Sequence, residues 1–221
     1  MSNVRSHEQQ HEKANAVTPG TQGYAEQAAE LIERYEELGF TEKHQEVLHL
    51  LPEASAYALD IGAGTGADAA WLANRGHGVV AVEPTDALRA YGVAHHASPL
   101  IEWVNDSLPE LEQVVQRRQK FGLIMLTAVW MHLDFRGRQV AMPRLAALLE
   151  NGGVILMTLR HGPVPPGRLM FAVSAEETVA LAVSRGLECV LKVTTESKLA
   201  ANRAAGVVWS CLAFKPQQRD T

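Results

Sequence analysis

Cysteine is scarce in this sequence: only Cys189 and Cys211 occur, both in apolar stretches, and no CxxC pairing is present. That excludes zinc ribbons and thioredoxin-like redox chemistry, and it reads both residues as small core side chains rather than a disulfide. Also missing is any uncharged apolar run near the roughly 18 residues that a membrane span requires. The stretch Met1–Lys13 is polar with no apolar h-region, so no secretory signal is read and a cytoplasmic location without membrane partners is expected. A basic excess is lacking too, since 20 Lys and Arg stand against 25 Asp and Glu, a formal net charge of −5. Nucleic acid is thereby disfavoured as a partner, because phosphate binding draws on a concentrated basic face. The short basic clusters, Arg117-Arg118 with Lys120 and Arg136 with Arg138, fall where solvated helix or loop ends are expected. The nine histidines are scattered, with His95-His96 outside any ligand-spaced cluster, so no metal site is read.

What is present suits one α/β domain, for which 221 residues are enough. Residues 1–22 carry Ser, Asn, Gln, Glu and His with little to bury, and are read as a disordered or ligand-ordered lead to a domain over 23–216. Tyr24, Ala28, Leu31, Ile32 and Tyr35 recur at three- and four-residue steps, the signature of one helical face. A second helix is expected after Thr41 as N-cap, stopping at Pro52. From Tyr57 onward, strands alternate with helices: strands at 57–61, 79–83, 101–104, 123–127 and 154–159, helices at 67–75, 86–90, 109–118 and 139–149. The last of these helices is expected to end on Asn151-Gly152-Gly153 as its cap. Ser174 with Glu177 opens another helix in the capping-box pattern. Strands at 187–194 and 207–214 close the chain, joined by a link too short for a helical crossover. The expected fold is therefore a doubly wound sheet of seven strands whose final pair is antiparallel.

The sharpest feature is Leu59-Asp60-Ile61-Gly62-Ala63-Gly64-Thr65-Gly66, between a strand and a helix. Gly62 permits a tight turn and Gly64 a close approach of backbone to ligand. Glu83 ends the next strand, 21 positions past Gly62, where a carboxylate can accept from both hydroxyls of a ribose. With Ala67 the run also meets the dinucleotide fingerprint, so an NAD-linked oxidoreductase is an alternative. Against it stand Asp60, a charge where pyrophosphate would lie, the two helices before the loop, and the terminal hairpin. An amino-acid ligand suits Asp60 better, through its ammonium group.

Asp60-Ile61-Gly62-Ala63-Gly64-Thr65-Gly66, then Val82-Glu83-Pro84, then Asn105-Asp106-Ser107 resemble the cofactor-binding series of class I S-adenosylmethionine-dependent methyltransferases. The likeness spans residues 24 to 214. It implies a Rossmann-like seven-stranded sheet with an antiparallel last strand, and S-adenosyl-L-methionine as cofactor. It also implies residue roles. Gly62, Ala63 and Gly64 would pass under the methionine moiety, with Asp60 by its ammonium. Glu83, with Pro84 next to it, would hold the ribose, and Asp106 the adenine amino group, with Ser107 beside it. Thr127 and Ala128 would meet the cofactor through backbone. Asp106 has a second reading as a cap of the helix that follows.

Methyl transfer asks the protein mainly to position an acceptor and exclude water, with a base only where the acceptor carries a proton. Residues past the ends of strands four and five are therefore the candidates. His132, in Val129-Trp130-Met131-His132, is the candidate base. Trp130 is read either as a pocket wall or as a core side chain. Arg160, His161 and Arg168 place cations in a Pro- and Gly-rich loop, suited to an anionic group on a small acceptor. Tyr24 is read as a lid contact. A transferase that moves the aminocarboxypropyl arm of the same cofactor, or a non-catalytic cofactor-binding protein, would carry the same cofactor residues. The sequence is silent on oligomeric state.

Overall fold

Aliphatic and β-branched runs such as Val79-Val80-Ala81-Val82 build the interior of one seven-stranded sheet in the computed structural model, which describes residues 20–217. Its strands are β1 (Tyr57–Ile61), β2 (Gly78–Val82), β3 (Ile101–Val104), β4 (Phe121–Leu126), β5 (Leu149–His161), β6 (Leu187–Glu196) and β7 (Val208–Pro216), in the order β3-β2-β1-β4-β5-β7-β6. The five strands β1 to β5 pair parallel, whereas β7 lies antiparallel to both β5 and β6. This is the expected doubly wound sheet with its antiparallel end. Strand alternation sorts the core into two layers. Leu59, Ile61, Val80, Val82, Ile124, Leu126, Ile155, Met157 and Leu212 face one side. Ala58, Val79, Ala81, Leu123, Met125, Val154, Leu156 and Ala213 face the other.

The helices are α1 (Ala28–Glu36), α2 (Phe40–Lys43), α3 (Ala67–Ala73), α4 (Asp86–His95), α5 (Glu112–Gln116), α6 (Phe135–Leu148), α7 (Ala175–Val183) and α8 (Ala200–Ala204). α5, α6 and α7 cover the first layer through Val114, Met142, Leu145 and Ala182. α3 and the segment from Phe40 to Val47 cover the second. Ala28 and Leu31 of α1 pack on Leu88 of α4 as a separate cluster. In α4, Gly92 has a packing reason: a Cβ there would stand 2.2 Å from the Trp103 ring and 2.7 Å from the Thr65 carbonyl oxygen.

Several expectations change. The lead, residues 1–22, falls outside the described residues except for 20–22, which begin a run of turns reaching to Gln27. The helix expected from Thr41 to Pro52 is one short turn of α-helix, capped at Gly39, and a 3₁₀ turn at Leu48–Leu50. Asn151-Gly152-Gly153 does not cap α6. That helix ends at Leu148 in extended backbone, and the glycines absorb a bulge within β5, where pairing jumps from Phe121–Leu149 to Leu123–Val154. The β6–β7 link is not a bare loop but carries α8. Arg138 is not solvated: it is 2% exposed, donating to the Glu177 carboxylate at 2.9 Å and to the Leu133 carbonyl at 2.6 Å. The Ser174 side chain accepts from the Glu177 N–H as expected, but the Glu177 carboxylate turns to Arg138 instead of back to its own cap. Among the described residues no helix is long and apolar enough to cross a membrane.

Candidate active site

At the carboxyl ends of the parallel strands lies one cavity of about 310 Å³, the rim at which open α/β sheets hold ligands. The turn from β1 into α3 forms its floor. Gly62 and Gly64 have φ of +69° and +57°, in the left-handed region that side chains avoid. A Cβ at Gly62 would also strike Val129 at 2.5 Å, and one at Gly64 would press on the Tyr35 ring at 3.2 Å. Glycine at these two positions makes room for Val129 and Tyr35, and both residues still line the cavity.

Three buried acids border the cavity at this floor. Asp60 is 2% exposed, and its Oδ2 has no hydrogen-bond partner. Burial, then the charges of Asp68 and Glu83, push its carboxyl up to about 8, with Lys43 working the other way. Asp68 is the contrast: Lys43 Nζ at 2.9 Å and His44 Nε2 at 2.8 Å hold it far below the usual carboxylate range despite its burial. Glu83 accepts from the Gly64 N–H at 2.9 Å and the Thr85 N–H at 2.7 Å, yet burial still raises its carboxyl. Its side chain borders the cavity, within which a ligand's hydroxyls would meet it. Asp106 serves as the cap weighed above, accepting from the N–H groups of Gln113 and Val114 at 2.8 and 3.1 Å. It still lines the cavity beside Ser107, and Pro84 lines it next to Glu83.

At the end of β4, Thr127 and Ala128 border the same cavity. Ala128 has φ +59°, a strained conformation for a residue with a Cβ, and its N–H is held by Thr158 Oγ1 at 2.9 Å. His132 follows in a 3₁₀ turn (Trp130–His132). Its Nδ1 lies 2.8 Å from the Leu169 carbonyl, which can only accept, so the proton sits on Nδ1. Burial lowers the affinity of the imidazole for a second proton. Nε2 therefore carries a free lone pair, and the Tyr24 hydroxyl donates to it at 2.9 Å.

Tyr24 belongs to the run of turns before α1, which is clamped across the cavity. The Arg168 guanidinium stacks over its ring at 3.7 Å and donates to Gln27 Oε1 at 2.9 Å and to the Gln22 carbonyl at 3.4 Å. Arg168 thus ties the lid to the β5–α7 loop.

The cavity brings together Tyr24, Asp60, Gly62, Ala63, Gly64, Glu83, Pro84, Asp106, Ser107, Thr127, Ala128, His132, Arg160 and Arg168. It leaves out two expected residues. Trp130 is wholly buried in the first core layer, a packing residue and not a pocket wall. His161 is next to Arg160 on β5, so the pleat turns it to the opposite face, where its Nε2 meets Ser210 Oγ at 2.8 Å. Other lining residues escaped the sequence reading: Lys43 and Glu46 before the sheet, and Lys198, Asn202, Trp209 and Cys211 at its far end. Only their long-range pairing brings them here, and no local motif marks it.

Residues 58–153 match the family model of a methyltransferase domain. None of the curated proteins compared matches the chain in sequence. Among solved structures, it is similar to 1,6-didemethyltoxoflavin-N1-methyltransferase from Burkholderia thailandensis, bound to 1,6-didemethyltoxoflavin and S-adenosylhomocysteine. That match has 17% identity and a TM-score of 0.69, and covers 88% of this chain and 86% of the other. A TehB-like S-adenosylmethionine-dependent methyltransferase from Corynebacterium glutamicum is 19% identical, with a TM-score of 0.64 over 88% of this chain and 98% of the other. The N-methyltransferase NodS from Bradyrhizobium japonicum, in complex with S-adenosylhomocysteine, is 17% identical, with a TM-score of 0.64 over 86% and 99%. At such identities the likeness establishes the fold.

Proposed function

We propose that this chain, whose residues 58–153 match the model of a methyltransferase domain, is a class I S-adenosylmethionine-dependent methyltransferase that methylates a small anionic molecule. One observation carries the reading: a fully buried carboxylate oxygen on Asp60 without a partner, in the same cavity as Glu83. A buried acid with a free oxygen calls for a cation. A ligand with an ammonium at one end and a ribose at the other satisfies Asp60 and Glu83 together. A dinucleotide would set pyrophosphate near Asp60 and worsen the repulsion.

On this reading Asp60 takes the ammonium and Glu83, beside Pro84, the ribose hydroxyls. The backbone of Gly62, Ala63 and Gly64 lies under the methionine moiety. Asp106 and Ser107 face the adenine, and Thr127 and Ala128 the reacting end. Bound there, S-adenosylmethionine supplies a methyl group already activated on a sulfonium. The chain's own work is to orient and to dehydrate. Tyr24 and the strapped segment around it exclude water. His132, its tautomer fixed by Leu169, takes the Tyr24 hydroxyl proton on Nε2 as that hydroxyl takes the acceptor's proton. Arg160 supplies the charge that selects an anionic acceptor. The small-molecule class is supported by the absence of any inserted domain between strands, and by a relative of the same fold that holds 1,6-didemethyltoxoflavin.

The test is calorimetry and thermal melting on the purified full chain. S-adenosylmethionine and S-adenosylhomocysteine should bind and raise Tm while NAD leaves it unmoved. The reverse order of effects, or no binding by either, refutes the proposal. Product mass then separates transfer of methyl from transfer of the aminocarboxypropyl arm.

A further inference from the structure

We infer that the far end of the cavity, over the β5–β7–β6 face, is the acceptor subsite and is built for a small planar acid: an aromatic carboxylate lying on Trp209 with its charge on Arg160. The inference rests on the cofactor reading above, which assigns the opposite end of the cavity.

The placement follows from register. Thr158 and Arg160 of β5 stand directly across from Cys211 and Trp209 of β7, and Trp209 stands across from Thr195 of β6. Cross-strand partners put their side chains on one face, about 5 Å apart. All five line the cavity. They lie on the face that carries Leu156 and Ala213 deeper in the sheet, so this compartment is the open continuation of the second core layer. Its roof is a strap: Lys198, from the β6–β7 crossover, reaches Glu46 at 3.3 Å and Gln45 at 3.4 Å on the segment before the sheet. A slot between a sheet face and a strap accepts a flat molecule.

Charge supplies the second argument. Glu46 is answered by Lys198, and Lys43 by Asp68. Arg168 is held by the Gln22 carbonyl, Gln27 Oε1 and the Tyr24 ring, which fix its guanidinium on the lid. Arg34 is exposed over Tyr35, and Glu196 is exposed at the outer rim. Arg160 is different. Its Nη1 donates to the Pro163 carbonyl at 2.6 Å, and it makes no ion pair with any described residue. Burial and the nearby Arg34 both disfavour its charge. A half-buried guanidinium with free donors beside an indole fits one carboxylate in the plane of a ring.

The experiment uses the full chain saturated with S-adenosylhomocysteine and two probes, 4-hydroxybenzoate and its neutral amide, 4-hydroxybenzamide, titrated by calorimetry. The acid should bind at least tenfold tighter than the amide. Arg160→Gln should weaken the acid about 10- to 100-fold, down to the level of the amide, and leave the amide unchanged. Trp209→Leu should weaken both probes alike. Affinity for S-adenosylhomocysteine should stay within about twofold in both variants, which also shows that they fold. Equal binding of acid and amide, no binding of either, or an Arg160→Gln effect shared by the two overturns the subsite. So does loss of S-adenosylhomocysteine binding in Arg160→Gln alone, which would make Arg160 a cofactor contact. If the unaltered chain binds no S-adenosylhomocysteine, the cofactor reading itself has failed, and this inference goes with it.

Discussion

Lowering the pH should loosen the cofactor, and the size of the effect can be worked from Asp60. Its carboxyl is pushed up to about 8, chiefly by burial and then by the charges of Asp68 and Glu83. Pairing with an ammonium requires the ionised form. Each pH unit below about 8 therefore costs about 1.4 kcal/mol, or tenfold in affinity, to remove the proton. From pH 8, where Asp60 is half ionised, to pH 6 the Kd for S-adenosylhomocysteine should rise about 50-fold, roughly 2.3 kcal/mol. Above pH 8 the curve should level off until the ligand's own ammonium deprotonates. Binding below pH 8 should release close to one proton, which calorimetry in buffers of different ionisation enthalpy reads directly. Asp60→Asn should bind weakly and lose most of the slope; what remains belongs to Glu83, which burial also raises. The sign for stability runs opposite to that for binding. Between its ordinary value and about 8, Asp60 holds a proton in the folded chain that the unfolded chain has lost, so its contribution is full below pH 4 and fades as pH rises through 8. Asp68, held low, contributes above its ordinary value and loses that as pH falls. A Kd that stays flat from pH 6 to 8, or an Asp60→Asn variant with the full slope, refutes the reasoning.

For an acceptor that carries a proton, His132→Gln should lower kcat about 10²- to 10⁴-fold in a labelled-methyl assay while cofactor affinity stays put. Because burial lowers the His132 pKa, the acid limb of the kcat profile should fall below the ordinary imidazole value; a limb above it counts against His132 as base. Arg168→Met should unclamp the lid, seen as faster hydrogen exchange at the Tyr24 amide, which bonds the Thr21 carbonyl at 3.1 Å. Gly92→Ala improves helix propensity on paper, yet its Cβ would meet Trp103 at 2.2 Å; a net loss of about 1–3 kcal/mol in urea unfolding is expected, and a gain would contradict the packing account.

Local chemistry explains what could be read in advance. The β1–α3 turn announces itself because glycine, strand and helix signals fall within ten residues, and Glu83 follows at a spacing set by one strand–helix–strand unit. Asp106 was legible as a cap, because an acid shortly before a helix commonly accepts from the N–H groups of its first turn. Trp130 and His161 went astray for a single reason. Both were judged by nearness in sequence to the rim, whereas facing decides: Trp130 turns inward on its 3₁₀ turn, and His161 alternates away from Arg160. The alternation was available to a stricter strand reading. Trp209, Cys211 and Lys198 were not, because nothing near them says which strand β7 joins. Asn151-Gly152-Gly153 misled because left-handed glycine serves a strand bulge as well as a helix end.

The reversal of β7 decides which side chains can ever meet a ligand. In an all-parallel sheet every strand begins at the edge away from the binding rim, so residues early in a strand are lost to chemistry. Running β7 backwards brings its first residues, Val208 and Trp209, level with His161 and Arg160 at the end of β5. The last crossover is thereby delivered to the same rim, where its length and side chains can vary without disturbing the glycine turn at the opposite end. One inverted strand thus gives the cavity a second wall built from residues far in sequence from the glycine turn.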